Sequence, residues 1–187
     1  MSPAERHRQI AAGFSARVDG VPDWNAPTPV AEWTARDVVG HLVGWLPGFL
    51  AGGGVALQVD GPDVDTDPAA AWHAHAAAVQ ALLDGPAGEQ EFTHPQAGSQ
   101  PLGAAIDQFY TTDVFLHTWD LARATGQGDT LDDDACAAML AGMEPWDEIL
   151  RTSGQYGPRV PVPDDAPAQD RLLGFIGRDP AWQAIAT

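Results

Sequence analysis

Apolar residues recur along the chain in steps of three and four, and clusters of proline and glycine separate the runs. This is the pattern of amphipathic helices joined by turns. The first predicted helix covers residues 3–18, where Ile10, Phe14 and Val18 share a face, Ser2 can cap the start and Pro3 suits the first turn. Residues 20–33 hold three prolines and read as a stiffened loop whose Trp24 and Trp33 plug the top of the core. A second helix starts at Thr34, with Asp37 placed as in a capping box. Its stripe is Val38, His41, Leu42, Trp45, Leu46 and Phe49, with Pro47 expected to kink or shorten it and Gly40 and Gly44 expected to admit another helix at close range. Residues 67–84 predict a third helix, capped by Asp67, on which His73 and His75 face different ways, so that one or both should be solvated. Residues 85–103 break the pattern and read as a loop or small hairpin that reaches Gly98 and carries His94.

The fourth helix organises the chain. Residues 106–126, IDQFYTTDVFLHTWDLARATG, contain no proline and no internal glycine, and they end on Gly126, a natural C-cap. Such a helix is about 30 Å long. One face carries Ile106, Phe109, Tyr110, Asp113, His117, Asp120 and Ala124, so acidic and imidazole groups stand in line with large apolar ones. A fifth helix follows over residues 131–152, interrupted at Pro145, then a proline-rich extended stretch and a short helix near 167–176. The predicted fold is an all-α, antiparallel four-helix bundle with a C-terminal helical and extended strap. The predicted division is a bundle over 1–128 and an extension over 129–187 packed on it, burying Val160, Val162, Leu172, Leu173, Phe175 and Trp182.

Charge narrows the function classes. The 187 residues carry a formal net charge of -17, which repels nucleic acid and anionic membrane surfaces. All nine basic residues are arginine, so a P-loop lysine, a Schiff-base lysine and a lysine general base are excluded. Residues 38–57 lack charge, but six glycines, one proline, His41 and the missing basic flank argue against a membrane span. Cys136 is the single cysteine and reads as a small buried hydrophobe, so no internal disulfide or CxxC motif exists. The first residues lack the apolar core of a signal peptide, and a cytoplasmic protein is the expectation.

The chemistry concentrates on three residues. Asp113 and His117 lie one helical turn apart, and His41 sits on the inward face of the second helix. Two histidines and a carboxylate with open positions form the ligand set of catalytic zinc and of facial-triad iron. The same spacing also suits a polar core in which Asp113 accepts from His117 and His41 donates to a carbonyl. HExxH and GxSxG are both absent. Trp45 and Tyr110, each about a turn from a candidate ligand, could wall a pocket or fill the core. Asp120 could orient His41 or His117 from behind, or pair with Arg123.

The segments WTARDVVGHLVGW (33–45) and FYTTDVFLHTWDLARATG (109–126) resemble the mycothiol-dependent maleylpyruvate isomerase family of the DinB-like superfamily, and the tail GPRVPVPDDAPAQDRLLGFIGRDP (157–180) resembles its shorter, mostly uncharacterised branch. The resemblance implies a metal-binding four-helix bundle in which His41, Asp113 and His117 hold a divalent ion, usually zinc, with nickel, iron or manganese as alternatives. The isomerase has glutamate where this chain has Asp113, and it has a C-terminal domain that this tail is too short to form. The implied chemistry is a metal-activated thiol, mycothiol, attacking a small electrophile: addition alone is an S-transferase, and addition with elimination is an isomerase. The alternatives are a hydrolase or lyase using metal-bound water, and a non-catalytic binding protein locked by its metal. A small-molecule electrophile and a thiol are the expected partners, for a monomer or homodimer.

Overall fold

Helix starts in this chain are set by side chains that take up the free N–H groups of the first turn. The computed structural model describes residues 1–152 and 154–184. Ser2 and Glu5 form a reciprocal capping box at the head of α1 (Pro3–Asp19), and Thr34 and Asp37 form another at the head of α2 (Ala35–Gly52). Pro47 lies inside α2, which runs past it to Gly52, so the proline does not shorten the helix. Asp67 caps α3 (Pro68–Asp84). A two-stranded antiparallel hairpin follows, β1 (Glu91–His94) and β2 (Gly98–Pro101), with Gly98 at φ 71 in the turn. Gly52 and Gly53 let this hairpin close on the end of α2, since a Cβ at either would strike the rings of His94 and Phe92.

The long fourth helix starts at Leu102, directly after the extended Pro101 and earlier than the predicted Ile106. It runs as α4 (Leu102–Ala105), a π-helical stretch (Ile106–Thr111) and α5 (Thr112–Thr125), and Gly126 ends it at φ 68. Wider turns of this kind often occur at functional sites. Here Thr112 Oγ1 donates to the carbonyl of Asp107, five residues back. Around the bundle, α1 packs on α3 and α5, and α2 packs on the same two helices. Phe14, Leu42, Leu46, Leu50, Trp72, Ile106 and Tyr110 fill the centre, all fully buried. The expectation for Gly40 and Gly44 is corrected. No helix packs there: Gly40 faces only the Val64 side chain of a loop, and Gly44 is exposed with open space around it.

The extension buries the opposite face of α5. Predicted as one interrupted helix, residues 131–152 form α6 (Asp133–Met143), a 3-10 turn (Glu144–Trp146) and α7 (Asp147–Thr152); α8 (Ala168–Phe175) comes later. Phe115, Leu116 and Trp119 meet Leu131, Cys136, Leu140, Leu172, Leu173, Phe175 and Ile176 in a second apolar cluster. Val160, Val162 and Trp182, expected in that cluster, are only half-buried. Ser153 and residues 185–187 of the extension lie outside the described residues. Arg151 and Arg159 stand over the Phe175 ring at 4.9 and 4.4 Å and share Asp147. Burial, then Asp133 and Asp132, push the Cys136 thiol up to about 12, so it is inert at neutral pH. No helix among the described residues is long and apolar enough to cross a membrane.

His7 and His75 lie inside the bundle, apart from the candidate site. His73 is exposed and pairs with Asp19, whereas His75 is buried beside Tyr110 and near His7, whose Nδ1 donates to Gln80. Burial pulls His75 down to about 4, and burial also lowers His7. Above the unfolded value of about 6.5 both are neutral in either state. Below it, the unfolded chain binds protons that the folded chain refuses, so stability falls as pH drops from about 6.5 towards the folded value. The His75 shift alone corresponds to about 3 kcal/mol. In urea unfolding, wild type is expected to lose more stability between pH 7.5 and pH 4.5 than His75→Phe does, His7 adding to the loss and His117, whose value is raised, opposing it in both proteins. An unchanged pH slope in that variant would place the acid sensitivity elsewhere.

Candidate metal centre

Two helices bring three candidate ligand side chains to one point. His41 stands midway along α2, and Asp113 and His117 stand one turn apart on α5. Asp113 Oδ2 accepts from His41 Nε2 at 2.9 Å, and Asp113 Oδ1 lies 3.4 Å from His117 Nε2. The two imidazole rings meet edge to face with centroids 5.0 Å apart. One ligand atom from each of the three residues lies within 4.8 Å of the other two. That is a little over twice a zinc–nitrogen bond, so two nitrogens and a carboxylate oxygen can surround one ion with small rotations.

The environment prepares the ring of His117. Its Nδ1 donates to Asp120 Oδ2 at 2.8 Å, which leaves Nε2 for the site. Arg178, from the tail, grips both oxygens of Asp120 at 2.9 and 3.0 Å. Asp120 therefore stands behind His117 and pairs with Arg178, while Arg123 pairs with Asp129. Burial presses the Asp120 carboxyl towards neutrality, but His117 and Arg178 outweigh it and hold the group below the ordinary carboxylate range. Burial presses Asp113 the same way, and His117, His41 and Trp45 overcome it. Burial works against a charged His117, yet Asp113 and Asp120 together raise it above the usual imidazole value. These contacts keep Asp113 an ionised, paired carboxylate.

The surroundings are aromatic. Trp45 donates its indole N–H to Asp113 Oδ2 at 2.9 Å, and so borders the site through a polar contact as well as packing on the core. Tyr110 is completely buried between Trp45 and the two interior histidines, and burial, then Asp113, raise its hydroxyl well above the ordinary value. Trp33, read from sequence as a core plug, also packs its ring against His117 at 5.7 Å and His41 at 5.0 Å. Glu32 just before it has φ 68, an uncommon conformation for a residue with a Cβ, and this turn presents Trp33 to the site. Tyr156 of the tail lies within electrostatic reach of Asp113 and Arg178; burial and then Asp113 push it up to about 12. His94 is buried on the hairpin against Phe49, away from the three ligands.

Sequence reasoning missed Arg178, Tyr156 and the site role of Trp33. For the first two no local signal exists, because the tail's path alone brings them in. For Trp33, its position just before the capping box of a helix that carries a candidate ligand was an available clue. A groove of about 400 Å³ opens beside His41, lined by Trp33, Arg36, Asp37, Gly40, Asp63, Val64 and Asp65.

Comparison with known proteins places the chain. It is 31% identical to two uncharacterized proteins of Mycobacterium tuberculosis, MT0763 and Rv0738, each over 95% of this chain and 98% of the relative. No solved structure matches it. A sequence model described as the mycothiol maleylpyruvate isomerase N-terminal domain matches residues 7–122, the part that supplies His41, Asp113 and His117. The chain belongs to the mycothiol maleylpyruvate isomerase N-terminal domain family.

Proposed function

We propose that this protein binds a divalent ion, zinc in the first instance, through His41, Asp113 and His117, and uses it to activate a low-molecular-weight thiol, mycothiol, as an S-transferase or isomerase. The observation that carries the reading is the convergence of these three side chains, with His117 Nε2 turned into the site because Asp120 holds Nδ1. When bound, a divalent ion supplies positive charge that lowers the pKa of a thiol and makes thiolate available at neutral pH. Asp113 balances that charge, and Trp45 steadies the carboxylate through its N–H. Trp33 and Trp45 both pack against the His41 ring. The buried Cys136 offers no protein thiol, in keeping with a thiol brought from outside.

In this reading residues 1–128 form the metal-binding bundle, and residues 129–187 close over it and deliver Arg178 and Tyr156. The protein would act in the cytoplasm, where thiols stay reduced. The test is an electrophile panel offered to zinc-loaded protein with and without mycothiol. Thiol-dependent turnover that disappears in His117→Ala is the expected result. Turnover that needs no thiol would favour the hydrolase or lyase alternative, and zinc binding without turnover of any substrate would favour a binding protein.

A further inference from the structure

The two flanks of the centre differ in character. Towards the start of α2 lies the polar groove edged by Arg36, Asp37, Asp63 and Asp65. Towards its end the flank is aromatic. His41, Trp45 and Phe49 follow one another at one-turn intervals, with centroids 6.3 and 5.8 Å apart, and Phe109 adds a ring 5.5 Å from Phe49. Phe92 and His94 of the hairpin close the far end at 5.4 and 4.5 Å from Phe49. Trp45, Phe49 and Phe109 are each only half-buried, whereas Phe14, Trp72, Phe92, Tyr110 and Trp119 are fully enclosed. The first three are in ring contact through Phe49, and a contiguous partly open apolar patch is informative where a single exposed ring is not. A line of partly open rings leading from a reactive centre can take a flat apolar body by stacking.

Charge points the same way. Among the described residues, Arg178 is ion-paired to both oxygens of Asp120, and Arg36 shares its groove with Asp37, Asp63 and Asp65. The chain has no lysine, and its net charge is -17. A dicarboxylate would enter a negative field that an uncharged body does not feel.

We propose that the electrophile of this centre is uncharged and carries a flat aromatic or conjugated body laid along Trp45, Phe49 and Phe109, and that a dicarboxylate such as maleylpyruvate is not its substrate. This rests on the thiol-and-metal reading above and deepens it. The probe is 4-phenylbut-3-en-2-one, an uncharged aryl enone, compared with maleate. Both are offered to the zinc-loaded full chain without thiol, and binding is read by saturation-transfer NMR on the ligand. The aryl enone is expected to bind and maleate to show no transfer at the same concentration. Phe109→Ala is expected to weaken the enone about tenfold, and Phe109→Leu, which keeps bulk but loses the flat face, by several-fold; zinc affinity should stay unchanged in both. Maleate binding as tightly as the enone, or enone affinity untouched by both folded variants, would overturn the proposal. A prior zinc titration separates the two readings: loss of zinc binding defeats the function, whereas intact zinc binding with maleate preferred defeats only the substrate class.

Discussion

Asp120→Ala is expected to destabilise the protein by about 3–5 kcal/mol, the usual cost of removing one partner from a buried charge cluster. Asp120 is fully buried and satisfies three donor atoms, His117 Nδ1 and two nitrogens of Arg178. Its removal leaves a largely buried guanidinium, 14% exposed, and a nearly enclosed imidazole without their carboxylate. For a chain of this length the loss corresponds to a fall in melting temperature of roughly 6–20 °C. Zinc affinity should fall as well, by about 10–100-fold, because nothing then fixes the ring that presents Nε2. Adding Arg178→Leu to Asp120→Ala should recover part of the stability, since an unpaired buried cation costs more than an absent pair. It should not recover zinc affinity. Recovery of both would mean that Arg178 alone governs the site.

The second large effect is expected from zinc. The ionised Asp113 leans on His41, His117 and Trp45, and a divalent ion offers it a stronger partner that the unfolded chain cannot assemble. At free zinc one hundred times the dissociation constant, the gain is about 2.7 kcal/mol. That amounts to roughly 5–11 °C for a protein of this size. Asp113→Asn keeps an acceptor for His41 and Trp45, so its apo fold should survive, but a neutral amide oxygen is a poor ligand. Asp113→Glu returns the acid found at the equivalent place in the isomerase and should retain part of the gain.

Much of this arrangement is legible in the chain because it depends on neighbours in sequence. The capping boxes of Ser2 with Glu5 and Thr34 with Asp37 span three residues, and the Asp113–His117 pair spans one turn. Gly126 announces its left-handed conformation by having no Cβ. What was not legible depends on long-range packing. Arg178 reaches Asp120 across 58 residues, and nothing around GRDP distinguishes it from a surface arginine. The π-helical stretch at Ile106–Thr111 escapes a template of fixed period, which cannot register an extra residue in a turn. Gly44 was misread because its spacing from Gly40 suggests close helix contact, whereas the bundle turns that face of α2 outward. Trp33 serves both readings at once, since one ring can plug a core and face a site.

The most direct test of the metal centre is a melting series on wild type, Asp113→Asn and Asp113→Glu, each with chelator and with increasing free zinc. Wild type should rise with zinc concentration, Asp113→Glu should rise less, and Asp113→Asn should stay close to its chelated value. Equal zinc-induced shifts in wild type and Asp113→Asn would contradict the account, because the ion would then be held elsewhere, with exposed His73 as the first place to look.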